Sequence, residues 1–345
     1  MSDSKCACRS VQDEGVVIDE LDEVIRAVRE SPGLRAKASL ALVGEVLGAG
    51  DWIHGPGDDA AVIDTGPSRI VAGGEALFPP FVAGDPRGAG VAAVVANVND
   101  LCAMGARPLA ILDTLVAPEP VARLALEGMR HASALYAVPV VGGHLTVRDG
   151  PPALSAFGVG ELRGPVLSSR HVAPGQVVLL ACCLEGTMRT DHPYFSSSAE
   201  RGGRLADDVR VLPALAEDGI CLAARDVSMA GVLGSLAMLL EPSGCGASVD
   251  LDAMPRPPAV ALTTWVTAFP MYGFLLCAAP EAVAECRARF AARDIACEVV
   301  ATVDAGGELR VRREGDERLL LDLAREPVTG LRVGGRPGGW ENPES

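Results

Sequence analysis

The sequence predicts an α+β protein of two domains, and three observations support this. The 345 residues exceed the size at which a single hydrophobic core is usual. Hydrophobic residues make up 49% of the chain and charged residues 22%, which supplies enough apolar side chains for packed cores and argues against disorder. The C-terminal half alternates strand-like and helix-like segments without glycine-rich dinucleotide turns, so we expect an α+β layer there rather than a Rossmann domain.

The first half of the chain is predicted to contain four helices and four strands. Leu21, Val24 and Val28 follow helical spacing, and a Ser-Pro-Gly sequence at 31–33 interrupts that helix. Residues 88–104 are apolar nearly all round, which is typical of a buried helix. In chain order the predicted elements are helices 18–30 and 34–48, extended segments 60–65 and 69–78, helices 88–104 and 119–136, and strands 138–141 and 153–162.

A turn-rich stretch at 163–175 marks the predicted domain boundary. We therefore expect an N-terminal domain over residues 18–168 and a C-terminal domain over 169–330, with flexible segments at 1–17 and 331–345. The C-terminal elements are predicted as strand 176–183, a polar loop 185–204, helix 229–240, strand 246–251, an apolar segment 264–278, helix 279–294, and strands 296–303 and 308–313.

The charge balance excludes several classes of partner. With 45 acidic and 30 basic residues the net charge is −15, so we expect binding to neither nucleic acid nor an anionic membrane surface. No apolar stretch is long enough to span a bilayer, and no secretory signal is visible at the N-terminus. Most of the ten cysteines lie in apolar runs, as buried reduced thiols do, so we expect a cytoplasmic protein. Cys6 and Cys8 are the exception, in a polar context, and the sequence leaves their reactivity open.

Lysine is almost absent, and this limits how the chain could bind nucleotide phosphates. Only Lys5 and Lys37 are present, and neither a P-loop nor the protein-kinase set of motifs occurs. If the protein binds nucleotides, metal ions held by carboxylates must therefore supply most of the neutralising charge, with arginine helping.

Acidic residues at four places are candidates for this role. Asp58 and Asp59 follow Gly57 and precede a strand, where a β-turn is the alternative interpretation. Asp100 lies in the apolar helix, and a hydrogen-bonded core aspartate is equally compatible with that context. Asp226 stands where a helix is predicted to begin, so it could instead cap that helix.

Two further sites complete the candidate set. Glu75 is next to glycines that allow a ligand to approach closely. Gly142-Gly143-His144 follow a predicted strand as a glycine-rich turn, whose backbone N–H groups can bind phosphate oxygens; a plain turn is the alternative. Carboxylates on separate elements favour Mg²⁺, whereas Zn²⁺ would require a cluster of histidine and cysteine.

Four segments occur in the order found in the superfamily of aminoimidazole ribonucleotide (AIR) synthetase: GDDAAVI, GEALFPPFVAGDPRGAGVAAVVANVNDLCAMGARPLA, VPVVGGHLT and RDVSMAGVLGSLAMLLEPSGCGASVDL. The chain resembles this PurM-like superfamily over residues 55–305, most specifically in the NxxDxxAMGxxP block from Asn97 to Pro108. It is most similar to the AIR synthase-related members, then to selenophosphate synthetase and thiamine-monophosphate kinase.

The resemblance implies a two-domain PurM-like fold, in which the N-terminal sheets of two subunits pair into a dimeric β-barrel. It also implies ATP and Mg²⁺ as cofactors and nucleotide sites near the subunit interface. The positions that match metal ligands of the family are Asp58, Asp59, Asp100 and Asp226. The positions that match its nucleotide-binding residues are Glu75, Asn97 and, across the interface, Gly142, Gly143 and His144.

The implied function is Mg²⁺-dependent transfer of a phosphoryl group from ATP to a small-molecule acceptor, by positioning and charge neutralisation. Departures from the family patterns leave the reaction open: His144 and Met229 stand where thiamine-monophosphate kinase carries acids. An ATP-dependent cyclo-ligase or amide-activating enzyme and a non-catalytic nucleotide-binding protein are the alternatives. The sequence does not identify the acceptor.

Overall fold

The computed structural model describes residues 19–47, 57–190 and 192–331. The predicted flexible segments therefore lie outside the described residues, apart from Leu331, and so do Cys6 and Cys8. The strands are β1 (Ala61–Asp64), β2 (Arg69–Ala76), β3 (Arg107–Ala117), β4 (Val140–Val147), β5 (Ala153–Leu162), β6 (Val177–Cys182), β7 (Thr187–Met188), β8 (Tyr194–Ser196), β9 (Ala223–Asp226), β10 (Gly246–Asp250), β11 (Phe269–Pro270), β12 (Gly273–Ala278), β13 (Ala296–Asp304), β14 (Glu308–Arg313) and β15 (Asp316–Asp322).

Twelve α-helices accompany these strands in the described part of the chain. They are α1 (Glu20–Glu30), α2 (Pro32–Arg35), α3 (Ala41–Leu47), α4 (Pro79–Gly84), α5 (Pro86–Ala103), α6 (Glu119–Tyr136), α7 (Ser198–Arg201), α8 (Leu205–Asp208), α9 (Val211–Glu217), α10 (Gly231–Leu240), α11 (Leu262–Thr267) and α12 (Val283–Ala291). Short 3-10 turns cover Ala36–Leu40, Ser169–His171, Gly202–Arg204, Glu241–Ser243 and Pro280–Ala282.

The first sheet has five strands in the order β1-β2-β5-β3-β4. All its pairs are antiparallel except β3–β4, which is parallel and is connected through α6. Helix α5 packs on one face, where Gly158 of β5 allows a close approach: a Cβ there would lie 3.0 Å from Leu101 and 3.1 Å from Asn97. The sheet is open, and the described strands of one chain do not close it into a barrel.

The second sheet has seven strands in the order β15-β14-β10-β13-β6-β12-β9, all paired antiparallel except β10 with β14. One face packs in a core with α1, α10 and α11. The other face shares a core with α5, α6, α9 and α12. Because both faces are covered, the central strands β6 and β12 are apolar along their whole length.

Helix α5 therefore lies between the two sheets. Twelve of its eighteen residues are buried, which explains why its sequence is apolar nearly all round. Helix α1 precedes the first sheet in sequence, yet Leu21, Val24 and Val28 pack into the core of the second. The domain limits at 168 and 169 stay predictions.

Several local predictions are wrong. Gly142, Gly143 and His144 lie inside β4 rather than in a turn, because this segment pairs in parallel with β3. Asp226 ends β9 and does not cap a helix; α10 begins only at Gly231. The predicted helix 34–48 is divided between α2, a 3-10 turn and α3. The sequence predictions lack strands β3, β7, β8, β9 and β15.

Other elements agree closely with the sequence analysis. Helix α6 and strand β5 have the predicted bounds, and α5 differs by two residues at its start. Among the described residues, no helix combines the length and apolarity that crossing a bilayer requires.

Glu241 fixes the end of the described chain. Its fully buried carboxylate accepts hydrogen bonds from the backbone N–H groups of Val328, Thr329 and Gly330, at 2.7, 3.0 and 2.8 Å, and from the Thr329 hydroxyl. A Cβ on Gly57 would lie 3.7 Å from the carbonyl oxygen of Leu331, so this segment borders the loop that carries Asp58 and Asp59.

Replacing Glu241 tests this arrangement. We expect Glu241→Gln to lower the free energy of unfolding by about 2 kcal/mol, because an amide nitrogen replaces an acceptor among buried N–H donors. Glu285→Gln is the matched control, since Glu285 pairs with Arg289 at the surface and such pairs contribute little. Urea denaturation followed by circular dichroism measures both; equal losses would contradict the assigned role.

Candidate functional site

Three carboxylates from distant parts of the chain meet in one place. Asp59 lies in the loop before β1, Asp100 in the last turns of α5 and Asp226 at the end of β9. One carboxylate oxygen of each lies within 4.8 Å of the others. Asp100 is 8% exposed and Asp226 7% exposed, so the group is almost closed to solvent.

Backbone and amide contacts hold the three elements in register. The backbone N–H of Asp226 donates to Oδ2 of Asp59 at 3.1 Å, which joins the first-sheet loop to β9. Asn99, next to Asp100, donates from Nδ2 to the carbonyl oxygen of Met271 at 3.0 Å, which joins α5 to the segment just before β12 of the second sheet. The site is therefore built where the two sheets and α5 meet.

The buried position of the three carboxylates favours their binding of protons or of a cation. Burial raises the pKa of Asp100 well above its usual range, and the charges of Asp226 and Asp59 raise it further. Burial, followed by the charge of Asp59, raises the pKa of Asp226 to about 8. The pKa of Asp59 is also raised by burial, although the adjacent Arg225 opposes this. Three carboxylates in this setting are costly when ionised and unpaired.

The donor set fits a hard divalent cation. Mg²⁺ takes oxygen ligands, commonly one or two carboxylates together with water and phosphate oxygens. Asp59, Asp100 and Asp226 offer carboxylate oxygens, whose mutual repulsion a cation would relieve.

Arg225 is a site residue that the sequence analysis missed. Its Nη2 lies 2.9 Å from Oδ1 of Asp59, and its Nη1 donates to the carbonyl oxygen of Gly57 at 2.6 Å. The side chain is 8% exposed. The sequence does contain a signal for it. Arg225 follows the apolar residues 222–224, and an arginine buried in such a segment needs an acidic partner.

Asp58 is placed outside the three-carboxylate group. Its carboxylate accepts from the Ser168 hydroxyl at 2.6 Å and from the Ser169 backbone N–H at 2.8 Å, and the Ser169 hydroxyl also donates to it. Asp58 thus joins the Gly57–Asp59 loop to the predicted domain boundary. Its role as a metal ligand stays a prediction.

Glu75 is an exposed residue of β2 that interacts electrostatically with Asp59. The surrounding protein raises its pKa by desolvation, and among the charged groups Lys37 acts on it most strongly, lowering that pKa. Asn97 is buried against Gly158, and its Nδ2 donates to the carbonyl oxygen of Ala93 at 2.8 Å. Its Oδ1 has no hydrogen-bond partner within the described part of the chain, and its role in nucleotide binding stays a prediction.

Gly142, Gly143 and His144 are not brought to the carboxylates within one chain. They lie in β4 at one edge of the five-stranded sheet, whereas Asp59 precedes β1 at the other edge. Four strand spacings separate these edges, about 19 Å. The His144 side chain is exposed, with Nε2 3.2 Å from the Thr146 hydroxyl oxygen.

The raised pKa values predict a pH dependence of stability. The folded state retains protons on these carboxylates that the unfolded chain releases near pH 3.8, so in the absence of metal the free energy of unfolding falls as pH rises toward 8. We expect Asp226→Asn to lose less stability than the wild type between pH 5 and pH 8, by about 1–3 kcal/mol.

Denaturation in EDTA at both pH values measures this difference. Exposed Asp316→Asn is the control and should follow the wild type. At pH 8, Mg²⁺ should raise the melting temperature of the wild type more than that of Asp226→Asn. Parallel pH profiles for the wild type and Asp226→Asn would show that the carboxylates do not repel one another in the folded protein.

Comparison with known proteins agrees with the resemblance in the motifs. Residues 57–162 match the profile of the AIR synthase related protein N-terminal domain, and residues 195–314 match that of the C-terminal domain. The uncharacterized protein sll0787 of Synechocystis sp. is 33% identical over 319 residues, which cover 90% of this chain and 98% of that protein.

Relatives with named reactions are more distant. Selenide, water dikinase of Colwellia psychrerythraea is 29% identical over 238 residues, covering 64% of this chain and 66% of that enzyme. The structure of T. maritima PurL complexed with ATP superposes with a TM-score of 0.67 at 22% identity. That superposition covers 77% of this chain and 46% of PurL, so the chain spans about half of PurL's length. Two matched domain profiles and a relative similar along nearly its whole length place the chain in the AIR synthase related protein family, with a two-domain PurM-like fold.

Proposed function

We propose that this protein is a Mg²⁺-dependent, ATP-using enzyme that transfers a phosphoryl group to a small-molecule acceptor. The observation that carries the proposal is the buried meeting of Asp59, Asp100 and Asp226. Selenide, water dikinase and ATP-bound PurL are among the proteins similar to this chain, which supports ATP as the phosphoryl donor.

The residues have distinct parts in the proposed mechanism. Asp59, Asp100 and Asp226 would hold Mg²⁺, which when bound neutralises phosphate oxygens and the charge that develops during transfer. Arg225 keeps Asp59 oriented through their 2.9 Å ion pair. Asn99 fixes the end of α5 against the segment before β12, so that Asp100 keeps its position. Positioning of this kind is the main source of catalysis in phosphoryl transfer.

The test is calorimetric titration of ATP with and without Mg²⁺. Asp100→Asn preserves the shape of the side chain but removes a ligand charge, so we expect roughly a 100-fold loss of Mg²⁺-dependent ATP affinity. Asp316→Asn should bind as the wild type does. ATP binding that is indifferent to Mg²⁺ and to Asp100→Asn would refute the proposed metal-bridged site.

An ATP-dependent ligase or cyclase, as in AIR synthetase, would use the same carboxylates. Met229, three residues after Asp226, exposes 54% of its surface and supplies no carboxylate where thiamine-monophosphate kinase is expected to carry one. This difference favours a reaction other than that kinase's. Analysis of products distinguishes the two classes, because a kinase yields a phosphorylated acceptor whereas a ligase releases inorganic phosphate. ATP binding without turnover of any acceptor would favour a non-catalytic role.

The proposal includes a homodimer formed by the open face of the first sheet. Ile63, Leu112 and Phe157 are exposed by 50%, 37% and 45%, and the strand registers place them on the face away from α5. His144 shares that face, because it pairs with Thr114 two residues beyond Leu112. A second copy would explain how Gly142–His144 could contact a nucleotide bound at the carboxylates of its partner.

A charge on this face should separate the subunits. We expect Phe157→Glu to yield a monomer in sedimentation velocity, because an unpaired carboxylate would be buried in the interface. Leu319→Glu is the control, since Leu319 is exposed to a similar extent on the second sheet and should leave the dimer intact. A wild type that sediments as a monomer would exclude this assembly.

A further inference from the structure

The charge of Lys37 acts on Asp59, Glu75 and Asp226, in a chain with only one other lysine, Lys5. It is half-buried in the 3-10 turn between α2 and α3. Helices α2 and α3 precede the first sheet in the chain. Their own sequence gives no sign that they pack near Asp59, Asp100 and Asp226.

One end of this helical segment is packed onto the loop after Asp226. A Cβ on Gly33 would lie 1.9 Å from the carbonyl oxygen of Met229, so only glycine fits at this contact. Leu34 is buried against α10, where a Cβ on Gly234 would lie 3.0 Å from its side chain. Lys37 follows Gly33 by four residues and lies just beyond the end of α2, so it is close along the chain to this packed contact.

The other end of the segment is packed near the loop before Asp59. A Cβ on Gly330 would lie 3.2 Å from Cβ of Ala41, and one on Gly44 would lie 3.6 Å from the Leu331 side chain. Leu331 in turn borders Gly57. The segment is therefore fixed against the loops of two carboxylates, with Lys37 between the fixed points.

The charge of Lys37 acts on the carboxylates although the described residues form no ion pair with it. It lowers the pKa values of Asp59, Glu75 and Asp226, and is the strongest charged neighbour of Glu75. Yet Lys37 forms no salt bridge within 4.0 Å to any residue in the described ranges. Lys37 is paired with none of these acids. Its ammonium group is therefore available to bind an anionic ligand at the carboxylates.

We propose that Lys37 binds the phosphate chain of the nucleotide at the carboxylate group. This inference rests on the proposed ATP site and adds a residue to it. Mg·ATP retains net negative charge, so a second cation beside the metal would stabilise it, and both terminal nitrogens of Arg225 already contact Asp59 and Gly57. Lysine suits this role as a flexible point charge with three donors.

A lysine-directed probe can test the assignment in the whole protein. In an acyl-phosphate derivative of ATP, the amine of a nearby lysine attacks the acyl carbon, forms an amide and releases ATP. We expect mass spectrometry to find Lys37 acylated, and excess Mg·ATP to protect it. Lys5 is the internal reference. Equal labelling of both lysines without protection would overturn the proposal.

Substitution separates phosphate binding from a general electrostatic effect. Lys37→Met should weaken Mg·ATP binding by about 10- to 100-fold, as loss of a charge-assisted hydrogen bond does, while Lys37→Arg retains most of it. Mg²⁺ alone should bind Lys37→Met as well as the wild type or more tightly, because a positive charge beside the acids has been removed. Unchanged Mg·ATP affinity in a folded Lys37→Met would overturn the assignment of Lys37 only. Failure of the wild type to bind Mg·ATP would overturn the proposed function with it.

Discussion

The site depends on the burial of three carboxylates where α5 meets both sheets. Their repulsion acts against the folded state, and the pKa of Asp226 near 8 expresses that cost. The fold opposes it with the ion pair between Arg225 and Asp59 and with the packing of α5 between two cores. Such a site favours cation binding, because a bound cation removes the repulsion among the three carboxylates that is present without it.

The connections around the carboxylates explain how this arrangement is kept rigid. Asp58 is held by Ser168 and Ser169, Asn99 by the backbone of Met271, and the segment after Val328 by Glu241. Each of these contacts joins parts of the chain that are at least 87 residues apart. A change in how the two sheets are placed would therefore alter the distances among the carboxylates.

The first sheet differs from the second in what covers it. Both faces of the second sheet are packed against helices, whereas the first sheet has α5 on one face and exposed apolar side chains on the other. Exposed apolar patches of this kind are typical of association surfaces. The placement of His144 on that face relates the proposed assembly to the proposed nucleotide site.

The sequence by itself determined the family, the presence of two halves, helix α6, strand β5 and the candidate acids Asp59, Asp100 and Asp226, because these depend on local patterns and short motifs. It did not separate Asp58 from Asp59, since adjacent carboxylates look alike until their partners are known. Only the tertiary structure decided that Gly142–His144 lie within β4, that Arg225 pairs with Asp59, and that the charge of Lys37 acts on the site. Strand pairing, burial and the approach of remote charges are set by contacts between segments far apart in the chain, and no local pattern encodes such contacts.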